Sequence, residues 1–94
     1  MHFFIHCVDK PGHGAVRAAN RAAHLDYIAR HAERIVAAGP TLDEDQTSMT
    51  GSVLIVEFPD RAAAEAFCHD DPYARAGLFQ SVTIAPWRQV YPKA

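Results

Sequence analysis

Two short stretches carry the side chains best suited to moving a proton. "RAAHLDYIARH" holds a histidine at position 24, and "DDPYARAGLF" holds an aspartate at position 71, just before Pro72. Imidazole takes and returns protons near neutral pH, and a carboxylate on one ring nitrogen leaves the other free to do so. Each residue also has a purely structural use. An aspartate before a proline at the first position of a short helix is a good N-cap. A histidine at the edge of an apolar helix stripe can be half buried with one nitrogen satisfied and no chemical role. For Asp71 the two uses are compatible, because a carboxylate fixed at a helix N-terminus stays ionised and oriented.

Arg21 stands one helical turn before His24. Its stem can lie on the core with its head in water, or its guanidinium can enter a cleft and hold a carboxylate or phenolate. Metal binding fails the spacing test. His24 and His31 are two helical turns apart, roughly 10 Å along the axis, whereas helical zinc pairs sit at i and i+4. His2 and His6 share a strand face but are too far apart for a simple chelate. A metal would need His6, His24 or Asp71 to converge from distant segments, and none is expected. Cys7 and Cys68 fall in no catalytic signature and are expected to be reduced, small hydrophobes. "GHG" after Pro11 is too short for a phosphate loop. No organic cofactor is expected.

The elements that must position these residues follow from patterning. "HFFIHCVD" is a strand, with Phe3, Ile5 and Cys7 on one face and Phe4, His6 and Val8 on the other. No proline or glycine interrupts Ala15 to Ala38, which predicts a long helix closed by Gly39-Pro40. Its apolar stripe is expected to be Ala18, Ala22, Leu25, Ile28, Ala32, Ile35 and Val36, with Arg21 projecting from the stripe and His24 on its edge. Tyr27 falls opposite or on the flank. "TLDEDQTSMTG" reads as the end of a short strand and a turn, and "SVLIVEF" as a strand. A helix capped by Asp60 follows, then a short helical turn started at Pro72 and stopped at Gly77. "LFQSVTIAPWRQVY" is the last strand, broken late by Pro86. The order β-α-β-β-α-β is a ferredoxin-like α+β arrangement, an antiparallel sheet with helices on one face. Both faces of the first strand are largely apolar, so the open face is expected to pack against a second copy as a homodimer.

The totals bound the function classes. At 94 residues the chain is expected to be one domain, residues 1–94, with a modest core. A net charge of −2 with scattered Lys and Arg argues against nucleic-acid binding. No apolar run approaches the roughly 18 to 20 residues that span a bilayer, and the first residues lack a signal-peptide pattern. A cytoplasmic protein with no nucleic-acid or membrane partner is the expectation.

Several motifs together resemble the YciI-like (YCII-related) family of the dimeric α+β barrel group. They are "FIHCVDKPG", "RAAHLDYI", "AAGPTLDED", "GSVLIVEF" and "DPYARAGLFQSVTIAPWRQV", in the family's order and over almost the whole chain. The resemblance implies a ferredoxin-like subunit, a dimeric α/β barrel, and a cleft with a His–Asp pair proposed to be catalytic. Carried onto this chain, the pair is His24 and Asp71, with Arg21, Ser52 and Tyr73 as substrate-binding neighbours. It implies a small cofactor-independent enzyme of lyase, dehydrochlorinase or isomerase type acting on small ring compounds, and four aromatic side chains point to an aromatic or enolisable substrate. Phe4, Tyr73, Phe79 and Trp87 are the expected apolar lining. The alternative is a binding or accessory module whose pair holds a ligand without turnover. Cofactor-free oxygenation rests on fold analogy alone.

Overall fold

The computed structural model describes residues 1–93. The chain runs β1 (His2–Asp9), α1 (Gly14–Arg30), a 3-10 turn (Ala32–Arg34), β2 (Ile35–Leu42), β3 (Met49–Glu57), α2 (Arg61–Asp70), α3 (Pro72–Arg75) and β4 (Phe79–Trp87). The strands form one antiparallel sheet in the order β2-β3-β1-β4. This is the ferredoxin-like α+β fold that the element order predicts.

Alternation along β1 builds the core. Phe3, Ile5 and Cys7 lie opposite Val56, Leu54 and Ser52 of β3 and are buried with them. Tyr27 of α1 and Ala64 and Phe67 of α2 complete the cluster on that face. Phe4, His6 and Val8 turn the other way, beside Ile55 and Val53. The Tyr27 hydroxyl donates to the Phe67 carbonyl at 2.7 Å, and the two rings stack at 5.3 Å. That contact ties the C-terminal half of α1 to the C-terminal turn of α2.

Three expectations are corrected. The helix predicted over Ala15–Ala38 ends at Arg30, where His31 Nδ1 donates to the Tyr27 carbonyl at 2.8 Å and satisfies one of the orphan last-turn acceptors. Ile35–Leu42 is strand, so Gly39 and Pro40 lie inside β2 and do not stop a helix. β2 is an edge strand, where a residue without an N–H is tolerated. Pro86 is likewise paired within β4, the other edge, opposite Phe3. The third correction is the helix stripe. Ala18 and Ala22 face outward and Leu25 stands half-exposed at the cleft, Ile28 and Ile35 pack against the core as expected, and Arg17 and Tyr27 are buried with His24 nearly so.

The α2–α3 junction follows its local signals. Asp60 caps α2 by accepting from the Ala63 N–H at 2.9 Å. Asp71 caps α3 by accepting from the Tyr73 N–H at 2.9 Å. Gly77, at φ +74°, makes the left-handed turn that leads into β4.

Candidate active site

The site lies where one face of α1 meets the sheet and α3. Arg17 and His24 are seven residues apart on α1, nearly in line down one side of the helix. Beside them β1 ends at Asp9, β3 carries Ser52, and the junction before α3 carries Asp71.

His24 Nδ1 lies 2.9 Å from Asp71 Oδ1 and 3.0 Å from Oδ2. An ionised carboxylate only accepts, so Nδ1 donates and Nε2 is the basic nitrogen of the neutral ring. Nε2 has no hydrogen-bond partner among the described residues, and none of their buried polar side-chain atoms is unpaired. Nε2 is therefore not fully buried, and His24 is one of the residues that line a cleft. Asp71 is 5% exposed, and its Oδ1 also accepts the Tyr73 N–H. One carboxylate thus does both jobs, cap and histidine partner.

A second ion pair lies two turns away. Arg17 donates through Nε to Asp9 Oδ2 at 2.7 Å and through Nη2 to Asp9 Oδ1 at 2.9 Å, and Nη2 also donates to Ser52 Oγ at 3.1 Å. Burial opposes the charge on Arg17, but the hydrogen bond and charge of Asp9 outweigh it and hold the guanidinium above its ordinary pKa. Its Nη1 has no side-chain hydrogen bond to Asp9 or Ser52, and Arg17 is one of the residues that line the cleft. Ser52 follows Gly51, where a Cβ would run into the Cys7 carbonyl. Only glycine lets β3 approach β1 there.

The Tyr73 ring packs against both groups. It stacks on the His24 ring at 4.0 Å and 12°, and the Arg17 guanidinium carbon sits 4.6 Å from its centroid. Burial raises the Tyr73 pKa, partly offset by the charges of Arg17 and Arg21, so the phenol stays neutral.

The cleft has a volume of about 150 Å³. Its polar lining is Arg17, Arg21, His24, Ser52 and Tyr73, and its apolar wall is Leu25, Ile28, Ala38, Pro40, Met49 and Leu54. Arg21 lines it without a side-chain hydrogen bond or ion pair among the described residues, whereas Asp9 neutralises Arg17. The cleft therefore carries one uncompensated cation and favours an anion. The aromatic lining expected from sequence is corrected to an aliphatic one. Of the four aromatics only Tyr73 lines the cleft. Phe4 and Trp87 lie on the opposite face of the sheet, and Phe79 meets the Tyr73 ring edge-on at 6.1 Å. Among the described residues no three His, Cys, Asp or Glu side chains converge as a metal site would require.

The structure brings His24, Asp71, Tyr73 and Ser52 into one network and sets Arg21 on the cleft wall beside it. Sequence reasoning passed over Arg17 and Asp9. The available signal was spacing: Arg17 is two turns from His24, on the same helix side, and Asp9 closes the strand that runs beside Ser52.

The YCII-related domain matches residues 1–88. The chain belongs to the YCII-related family. The YciI protein of Escherichia coli is 34% identical over 98 residues, covering 97% of this chain and all of that protein. A solved structure of 5-chloro-2-hydroxyhydroquinone dehydrochlorinase (TftG) from Burkholderia phenoliruptrix, in complex with 2,5-dihydroxybenzoquinone, is 38% identical to this chain. It superposes with a TM-score of 0.88 and covers 94% of each chain. SnoaB of Streptomyces nogalater, a cofactor-independent oxygenase, is 20% identical with a TM-score of 0.57, covering 97% of this chain and 96% of that one. That likeness is one of fold alone.

Proposed function

We propose that this chain is a small enzyme that works by general acid–base chemistry, without a cofactor, on a small anionic ring or enol compound. Its reaction is elimination of a leaving group or the related double-bond shift. The observation that carries the reading is His24 held at Nδ1 by Asp71, with Nε2 unpaired, on the wall of a cleft that Arg21 makes positive. The 38% identity to a dehydrochlorinase supports it.

On a ring bearing hydroxyls and a leaving group X, successive proton transfers through Nε2 remove HX. Nε2 takes a hydroxyl proton, and the freed pair moves through the ring to the carbon that bears X. That carbon receives the proton back from the imidazolium, giving the keto tautomer. A second hydroxyl proton then passes to Nε2 as X leaves with its bonding pair. The net loss is HX, and the imidazolium returns its proton to water. Arg21 and Arg17 Nη1 hold the developing oxyanion, and Ser52 orients it.

The direct test is chloride release from 5-chloro-2-hydroxyhydroquinone by the wild type, His24→Ala and Asp71→Asn. A loss of about 10²- to 10⁴-fold in kcat is expected for His24→Ala, the usual worth of a positioned acid–base group. Undiminished turnover in both variants removes the pair from the reaction.

The reading includes a homodimer. Phe4, Val53 and Ile55 sit half-buried on the uncovered sheet face, with Val8 and Trp87 more exposed. A second copy is the occupant that an apolar sheet face of this size favours. Sedimentation as a monomer at micromolar concentration would remove it.

A further inference from the structure

We propose that Tyr73 is a positioning residue, whose ring, clamped between the Arg17 guanidinium and the His24 imidazole, holds His24 in the rotamer and tautomer that aim Nε2 into the cleft. The inference rests on the reading of His24 as the base and adds what orients it.

The geometry starts with α1. Residues seven apart lie two turns apart, roughly 10 Å along the axis and on nearly the same side. Two planar groups at that spacing leave room for one aromatic ring. Tyr73 fills the slot, 4.0 Å from the His24 ring and 4.6 Å from the Arg17 guanidinium carbon. The nearly parallel imidazole covers one face of the phenol, which leaves the other face to Arg17. Tyr73 is 1% exposed, so the ring has nowhere else to go.

Asp71 alone does not set the imidazole. Its two oxygens fix where Nδ1 points, yet the ring can still tilt about that hydrogen bond. The stacked phenol removes the tilt. The same carboxylate accepts the Tyr73 N–H, so Asp71 sets the position of both rings. On the far side Arg17 is held by two hydrogen bonds to Asp9 and cannot withdraw. Asp9, Arg17, Tyr73, His24 and Asp71 form one chain of contacts from the end of β1 to the start of α3. The Tyr73 hydroxyl is not required for this role; the ring is.

The test is the side-chain ¹⁵N spectrum of the histidines in the full-length protein at a pH where they are neutral. Wild type and Tyr73→Phe should each show His24 as a single Nδ1–H tautomer, with its ring protons moved upfield by the stacked ring. Tyr73→Leu should show an averaged tautomer signal and lose the upfield shift. With 5-chloro-2-hydroxyhydroquinone it should lose kcat by tenfold or more with KM within about threefold. A folded Tyr73→Leu that keeps the single tautomer, with only a lower Tm, overturns the proposal and leaves Tyr73 as core. If Tyr73→Leu does not fold, the wild type decides. A tautomer mixture, or His24 ring protons at ordinary shifts, overturns the clamp; a single tautomer with shifted protons upholds it. Absence of turnover by the wild type would instead count against the proposed reaction, with the tautomer measurement still deciding the clamp.

Discussion

In α2 the residues packed in or against the core are Ala63, Ala64, Phe67 and Cys68, all apolar. In α1 the apolar stripe read from the sequence is only partly inward: Ile28 packs on the core and Leu25 lines the cleft, but Ala18 and Ala22 face outward while Arg17, His24 and Tyr27 turn in. The difference is one of partners. α2 covers apolar core, where burial of hydrocarbon decides the rotation of the helix. α1 packs on a surface that also offers polar partners: Asp9, Ser52, Asp71 and the Phe67 carbonyl. Every inward polar atom of α1 that is buried finds one of these or a neighbouring group. A polar stripe can face inward at small cost when each group is paired, and at large cost when one is not.

That contrast can be broken at its strongest point. Arg17→Met should strand the Asp9 carboxylate and cost about 3–5 kcal/mol in urea unfolding. Adding Asp9→Leu should recover much of the loss, because a buried pair replaced as a whole is often near neutral. On α2, Phe67→Ala should cost a similar ~3–5 kcal/mol through lost contacts and a cavity, and no single second change should restore it. A cost below 1 kcal/mol for Arg17→Met would mean that the inward face of α1 is not held by its ion pair.

Next comes alkaline pH, where both helices should weaken together. Burial, with the charge of Asp70 adding to it, pushes the Tyr27 phenol up to about 12. Burial also pushes the Cys7 and Cys68 thiols up to about 12, helped by Cys68 and Asp71 at Cys7 and by Asp71 and Glu65 at Cys68. These groups keep their protons in the folded chain and release them earlier when unfolded. The stability they contribute is complete below the unfolded values, near 9 for thiols and 10 for tyrosine, and is lost as pH rises toward 12. Tm measured from pH 8 to 11.5 should fall progressively above pH 9. A flat profile would mean that the three groups are not buried as described.

The two N-caps give a finer comparison. Asp60→Ala should cost about 1 kcal/mol, the usual worth of an N-cap. Asp71→Asn should cost less than that as a cap, because asparagine caps equally well, while turnover falls sharply. Equal losses of stability and activity at both positions would erase the distinction between a cap and a histidine partner. At the small end, Ala22→Lys on the outward face of α1 should change stability by no more than about 0.5 kcal/mol. A larger cost in the full-length protein would show that this face is covered in solution.

Strands β1, β3 and β4, the two N-caps and the β-α-β-β-α-β order were readable from the chain because each is a local matter, whereas most of β2 read as the end of the long helix. Period-two alternation places Phe3, Ile5 and Cys7 on one face, and Asp60 and Asp71 reach backbone N–H groups only two or three residues away. His24 and Asp71 could be singled out by type and by motif. Their hydrogen bond could not be derived from spacing, because it spans 47 positions, and the Arg17–Ser52 bond spans 35. The end of α1 at Arg30, the outward turn of its alanine stripe, the pairing of Arg17 with Asp9 and the aliphatic cleft wall were settled only in three dimensions. A helix turns toward whichever surface satisfies its groups, and that surface is built by segments far along the chain.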